Sequence, residues 1–131
     1  MADCIFCKII AGDIPAHKVY QDDEFLAFLD INPVADGHTL LIPKSHHQMM
    51  GDVPDELLGR AFVATKKLIP SIKQALGADF VAVSVVGVDV PHFHIHLIPR
   101  RHDDGLADFW PTKKYQAGEA EKIVEQIKAA L

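Results

Sequence analysis

The segment Pro91-His92-Phe93-His94-Ile95-His96-Leu97-Ile98-Pro99-Arg100 alternates three histidines with three large apolar residues. A period of two belongs to an extended strand, whose successive side chains leave opposite faces. Phe93, Ile95 and Leu97 are therefore expected to enter a core. His92, His94 and His96 then stand in a row on the other face, about 6.5–7 Å apart for each two-residue step. Imidazole is a nucleophile, a proton donor or a metal ligand near neutral pH, so such a row beside packed structure points to chemistry at a fixed site.

The 131 residues, about half of them apolar, suffice for one compact domain with its own core. The expected organisation is a single domain over 1–131, with its core at about 4–100 and a C-terminal extension over 101–131. Eighteen acidic residues against thirteen basic ones give a net charge of −5, which argues against binding nucleic acid or anionic membranes through bulk electrostatics. An anionic ligand needs a locally prepared site. No apolar run reaches the ~18 residues that span a bilayer. The opening Met-Ala-Asp-Cys-Ile-Phe-Cys-Lys carries charge where a signal peptide needs an uninterrupted apolar stretch. A soluble, cytoplasmic protein is expected. Cys4 and Cys7 form one Cys-x-x-Cys, too little for a disulfide framework and, in a reducing compartment, either metal-binding or redox-active.

Residues 4–11 read as a short helix closed by Gly12. Lys18-Val19-Tyr20 and Phe25-Leu26-Ala27-Phe28-Leu29 read as a hairpin about Asp22-Asp23, and His38-Thr39-Leu40-Leu41-Ile42 as a third strand ending at Pro43. Leu58, Phe62, Thr65, Ile69, Ile72 and Leu76 recur at helical spacing, with Asp52 and Pro54 at the start and Gly77 at the end. Pro70 inside this helix predicts a local irregularity. Phe80–Val86 reads as a fourth strand before the histidine strand, and Ala120, Ile123, Val124, Ile127 and Leu131 mark a terminal amphipathic helix. There is no internal repeat or long linker. The order predicts an α+β fold: a five-stranded antiparallel sheet with one main helix and short terminal helices.

Cys4-Ile5-Phe6-Cys7-Lys8-Ile9-Ile10, Ile14-Pro15, Leu29-Asp30-Ile31-Asn32-Pro33, Gly37-His38, Ile42-Pro43-Lys44-Ser45-His46 and the histidine strand occur in order along the chain. Together they resemble the histidine-triad family, specifically its small nucleotide-binding, phosphoramidase-like members. The resemblance implies a homodimer joined through sheet and helix, and a hydrolase or transferase acting on nucleoside monophosphate conjugates such as adenosine phosphoramidates, mixed anhydrides or dinucleotides. By matching position, His94 resembles the nucleophile that is transiently nucleotidylated, and His96 the residue that contacts phosphate and assists the leaving group. Asp30 matches the carboxylate that binds ribose hydroxyls. Ile5, Phe6, Ile9, Ile14, Phe28 and Ile31 match an apolar slot that suits a flat purine base. Cys4 and Cys7 need two further ligands to complete a structural zinc site. The resemblance supplies His46 and His92, with His47 an adjacent competitor.

Family members commonly carry Gly-Gln ahead of the triad, whereas this chain has Ser84-Val85-Val86-Gly87-Val88-Asp89-Val90-Pro91, with Val88 at the Gln position. Valine donates nothing to phosphate, so backbone N–H groups, Ser84 or solvent must serve, and Asp89 brings a negative charge toward an anion. Two other readings compete with an enzyme of this kind. One is a zinc-stabilised nucleotide-binding module with little turnover; the other places all three histidines on a catalytic metal. A tryptophan after the triad approaches the partner's substrate in related proteins, which suggests the same for Trp110 in Phe109-Trp110-Pro111.

Overall fold

In the computed structural model, which describes residues 3–106 and 111–131, the chain begins with a helix set by its own cysteines. Cys4 is the N-cap of α1 (Ile5–Ala11), its sulfur accepting the Cys7 N–H, and Gly12 closes the helix at φ 85°. Strands β1 (Lys18–Gln21) and β2 (Phe25–Leu29) follow, turned by Asp22, whose Oδ1 accepts the N–H groups of Glu24 and Phe25. Then come β3 (Thr39–Pro43), a 3-10 turn at Met50–Asp52, α2 (Asp55–Leu76), β4 (Phe80–Ser84), β5 (Ile95–Arg100) and α3 (Glu119–Ala130). The described residues form one antiparallel five-stranded sheet in the order β1-β2-β3-β5-β4. This is the α+β architecture expected from the sequence.

Both faces of the sheet centre are covered. On one face Phe25, Ala27, Leu41, Phe93, Ile95 and Leu97 pack with Ala61, Leu68 and Ile72 of α2. On the other, Leu26, Phe28, Leu40 and Ile42 pack with Cys4, Phe6 and Ile9 of the α1 segment. Double coverage explains why β2 and β3 read as nearly unbroken apolar runs.

Three details depart from expectation. The ladder of β5 starts only at Ile95, so His92 and His94 precede the paired strand. The alternation survives nonetheless, because Phe93 is anchored through its N–H to the His47 carbonyl and its ring is fully buried. The buried stripe of α2 is Ala61, Thr65, Leu68 and Ile72, while Phe62 is 37% exposed. The helix is thus rotated from the expected face, because the small side chains of Ala61 and Thr65 let it lie closer to the sheet than Phe62 would. Finally, α2 runs without interruption through Pro70. That residue and Lys66, whose carbonyl loses its partner, are both on the exposed side, where water replaces the missing bond.

Gly37 is required twice over. Its φ is 88°, and a Cβ there would sit 2.8 Å from Leu76 Cγ. The turn it makes delivers His38 to β3. Helix α3 buries none of its residues, leaving Val124 and Ile127 in solvent. Among the described residues no helix is long and apolar enough to cross a membrane. Phe109 and Trp110 lie outside the described residues, so the expectation for Trp110 has no structural counterpart here.

Candidate functional site

The triad divides its labour. His92 is fully buried, and its Nε2–H donates to the Pro43 carbonyl at 2.9 Å. A carbonyl only accepts, so this bond fixes the proton on Nε2 and turns the Nδ1 lone pair toward the thiols. Nδ1 lies 3.4 Å from Cys4 Sγ and 3.6 Å from Cys7 Sγ, and His46 Nδ1 is 3.2 Å from Cys7 Sγ. The four ligand atoms all lie within 4.8 Å of one another. Tetrahedral zinc, with Zn–S of about 2.3 Å and Zn–N of about 2.0–2.1 Å, has S···N edges of about 3.5 Å. Burial and the neighbouring Cys4 push the Cys7 thiol up, so paired thiolates here call for a compensating cation. The donor set and its spacing fit zinc. His47 is turned elsewhere, its Nε2 within 2.9 Å of Ser45 Oγ.

His94 is held the opposite way. Its Nδ1–H donates to the His92 carbonyl at 2.7 Å, which leaves Nε2 as the free lone pair. The ring is buried, edge-on to Phe6 at 5.2 Å and to His96 at 5.0 Å. Both His94 and His96 line a cavity of about 350 Å³. Its walls include Ile5, Phe6, Ile9, Ile14, Phe28, Asp30 and Ile31, so the structure brings these expected slot residues together with the two histidines. Ile31 is 81% exposed and stands at the rim. Ser84 is not among the lining residues: it pairs with His96 across the β4–β5 ladder, one strand further from the slot. Residues not anticipated in the lining include Asn32, Leu40 and Val90.

The residue that sequence reasoning missed is His38. Register Leu40↔His96 places His38 diagonally across from His96 on the same face. Val34 N–H donates to His38 Nδ1 at 3.1 Å, so neutral His38 carries its proton on Nε2. That Nε2 is 2.9 Å from His96 Nδ1. The proton order follows: His38 donates, His96 Nδ1 accepts, and His96 keeps an Nε2–H as donor. The same order argues against a metal on the second cluster of possible ligands, Asp30, His38 and His96, because the His38 nitrogen that faces the others is protonated. Asp30 Oδ1 accepts the Asn32 N–H at 2.9 Å, making a turn, and Oδ2 lies 3.7 Å from His38 Nε2. The only sequence hint of His38 was its place in Gly37-His38, 58 residues from His96.

Burial holds His38 and His96 below the ordinary histidine value, against the pull of Asp30; for His96, His94 and His38 add to the lowering, and Asp89 opposes it. Below the ordinary value of 6.5, the unfolded chain binds more protons at these groups than the folded chain. Their contribution to stability is complete above that value and declines as pH falls through it. The thermal midpoint is expected to drop between about pH 7 and pH 5, and His38→Gln to drop less steeply. Parallel midpoint curves for the two proteins would remove His38 as a source. In kinetics, His38→Gln should lower kcat by about tenfold or more with little change in KM, and shift the pH profile of kcat. Unchanged kcat would show that the His38–His96 bond has no part in turnover.

The model of the HIT domain matches residues 11–103. The chain belongs to the HIT family. Among solved structures, this HIT protein is similar to a HIT family member from Bacillus subtilis, with 39% identity and a TM-score of 0.85 over 98% of this chain and 97% of the other. It is also similar to a Zn-bound histidine triad family protein from Mycobacterium smegmatis, with 31% identity and a TM-score of 0.78 over 99% of each chain. An adenosine 5'-monophosphoramidase of Saccharomyces cerevisiae is 38% identical over 99% of this chain and 84% of its own length.

Proposed function

We propose that this HIT protein is a nucleotide hydrolase that cleaves adenosine phosphoramidates at the α-phosphorus through a nucleotidyl-His94 intermediate. The observation that carries the reading is the His94 Nδ1–H bond to the His92 carbonyl, which aims an unprotonated Nε2 at the cavity. In the first step His94 Nε2 attacks phosphorus and the bond to the amine nitrogen breaks, the amine taking a proton from His96 Nε2–H. In the second, water attacks phosphorus and returns a proton to His96 Nε2, the P–N bond to His94 breaks, and nucleoside monophosphate leaves. The slot of Ile5, Phe6, Ile9, Ile14, Phe28 and Ile31 receives the purine, and Asp30 Oδ2 accepts from the ribose. Cys4, Cys7, His46 and His92 would hold a structural zinc, which would tie α1, a wall of the slot, to the segment that bears His94. The relative that is an adenosine 5'-monophosphoramidase supports the substrate class. Dinucleotides are a second class and rank lower, because among the described residues the cavity offers them no lysine or arginine.

Incubation of the purified protein with adenosine 5'-phosphoramidate and analysis of the products tests the reading. Release of adenosine monophosphate and ammonia is expected, and adenylated protein is expected in samples quenched during turnover. Tight nucleotide binding without release would favour the interaction module instead.

A cytoplasmic homodimer completes the proposal. The outer edge of β4 and the apolar face of α3, with Val124 and Ile127 exposed, are two surfaces open to a second copy. Light scattering should give a dimer mass, and Ile127→Glu with Val124→Glu should shift it toward monomer. A wild-type monomer at working concentration removes the dimer.

A further inference from the structure

Among the described residues, the cavity wall contains two carboxylates, Asp30 and Asp89, and no lysine or arginine. Asp30 comes from the end of β2, beside the apolar slot. Asp89 enters from the β4–β5 connection, the segment that carries the triad. It is held there by its neighbour: Val90 packs against the cluster of Cys4, Phe6 and Ile9, and its carbonyl accepts the His92 N–H at 2.8 Å. Val88, on the other side, is 78% exposed. Asp89 and His96 line the same cavity, so a leaving group that takes its proton from His96 departs from a cavity that carries this carboxylate. Its charge acts on the His96 imidazole in the direction expected of a nearby anion.

On the hydrolase reading above, we propose that Asp89 is a specificity-determining residue that selects substrates whose leaving group carries a positive charge. A phosphoramidate nucleotide already brings a negative charge at phosphorus. Beside Asp89, a leaving group ending in a carboxylate, sulfate or phosphate adds a second negative charge, and among the described residues no lysine or arginine of the cavity offsets it. A leaving amine with a distal ammonium relieves the same repulsion. Asp89 is exposed, and charges several ångströms apart at an exposed site still interact strongly enough to give about a tenfold difference between the cationic and anionic cases. The effect weakens with salt.

The test uses three adenosine 5'-phosphoramidates whose amines have equal length and end in an ammonium, a neutral amide or a carboxylate. For the wild-type protein, kcat/KM is expected to fall in that order, by about tenfold from first to last at low ionic strength. Asp89→Asn should compress the ratio to within about twofold, and Asp89→Lys should invert it. The ratio cancels any loss common to all three substrates. A wild-type ratio near one, or a ratio unchanged in Asp89→Asn, overturns the proposal. If none of the three is hydrolysed, the hydrolase reading fails. Calorimetric affinities of the same compounds then decide the charge selection separately: the same order, lost in Asp89→Asn, sustains it, and equal affinities overturn it.

Discussion

His94→Ala should reduce hydrolysis of an adenosine phosphoramidate by about 10⁴-fold or more, the scale on which removal of a nucleophile acts when no other group takes its place. The neighbouring His96 is a poor substitute, since its Nδ1 lone pair is occupied by His38 and its Nε2 carries a proton. Nucleotide affinity should survive, because Ile5, Phe6, Ile9 and Phe28 form the slot independently of the attacking nitrogen. His96→Ala should be slow but active, and more so for poor leaving groups, because it removes a proton donor and leaves the nucleophile. The measurements are single-turnover rates, nucleotide affinity by calorimetry, and the mass of quenched protein. Wild-type turnover in His94→Ala would refute the covalent route.

Loss of the Cys/His cluster should have the largest effect on stability. Purified protein is expected to contain about one zinc per chain, as a closed four-ligand site requires. Cys4→Ser is the informative variant. Serine is a good N-cap and can accept the Cys7 N–H as the Cys4 sulfur does. The substitution therefore preserves the start of α1 while removing a thiolate ligand. The thermal midpoint should fall by about 10 °C or more, since structural zinc sites contribute several kcal/mol to folding. Nucleotide affinity should fall with it, because α1 supplies Ile5, Phe6 and Ile9 to the slot. Metal-free wild-type protein with an unchanged midpoint would remove the structural zinc. Equal affinity in Cys4→Ser would show that α1 holds its place without it.

Expectation and structure agree most closely where a local pattern has a single physical meaning. Alternation along 91–100 placed Phe93, Ile95 and Leu97 in the core, and all three are buried against α2. Left-handed glycines at 12 and 77 end helices where expected. The face of α2 was harder to read, because a large residue such as Phe62 weighs more in a periodic pattern than Ala61, although the smaller residue permits the closer approach.

The sequence by itself determined the elements, their order and the residue types available for chemistry, because periodicity, caps and turn residues act over a few positions. It also placed Cys4 and Cys7 one helical turn apart, and flagged Val88 and Asp89 as unusual. Only the tertiary structure decided which nitrogen of each histidine is free. That choice depends on the Pro43 carbonyl for His92, on a backbone carbonyl for His94, and on Val34 through His38 for His96. It chose His46 over His47 for the cysteine cluster and moved Ser84 away from the slot wall. The reason is common to all of these. A proton's position on an imidazole, like a ligand's direction, is set by the partner it meets, and these partners come together only when distant strands pair in register.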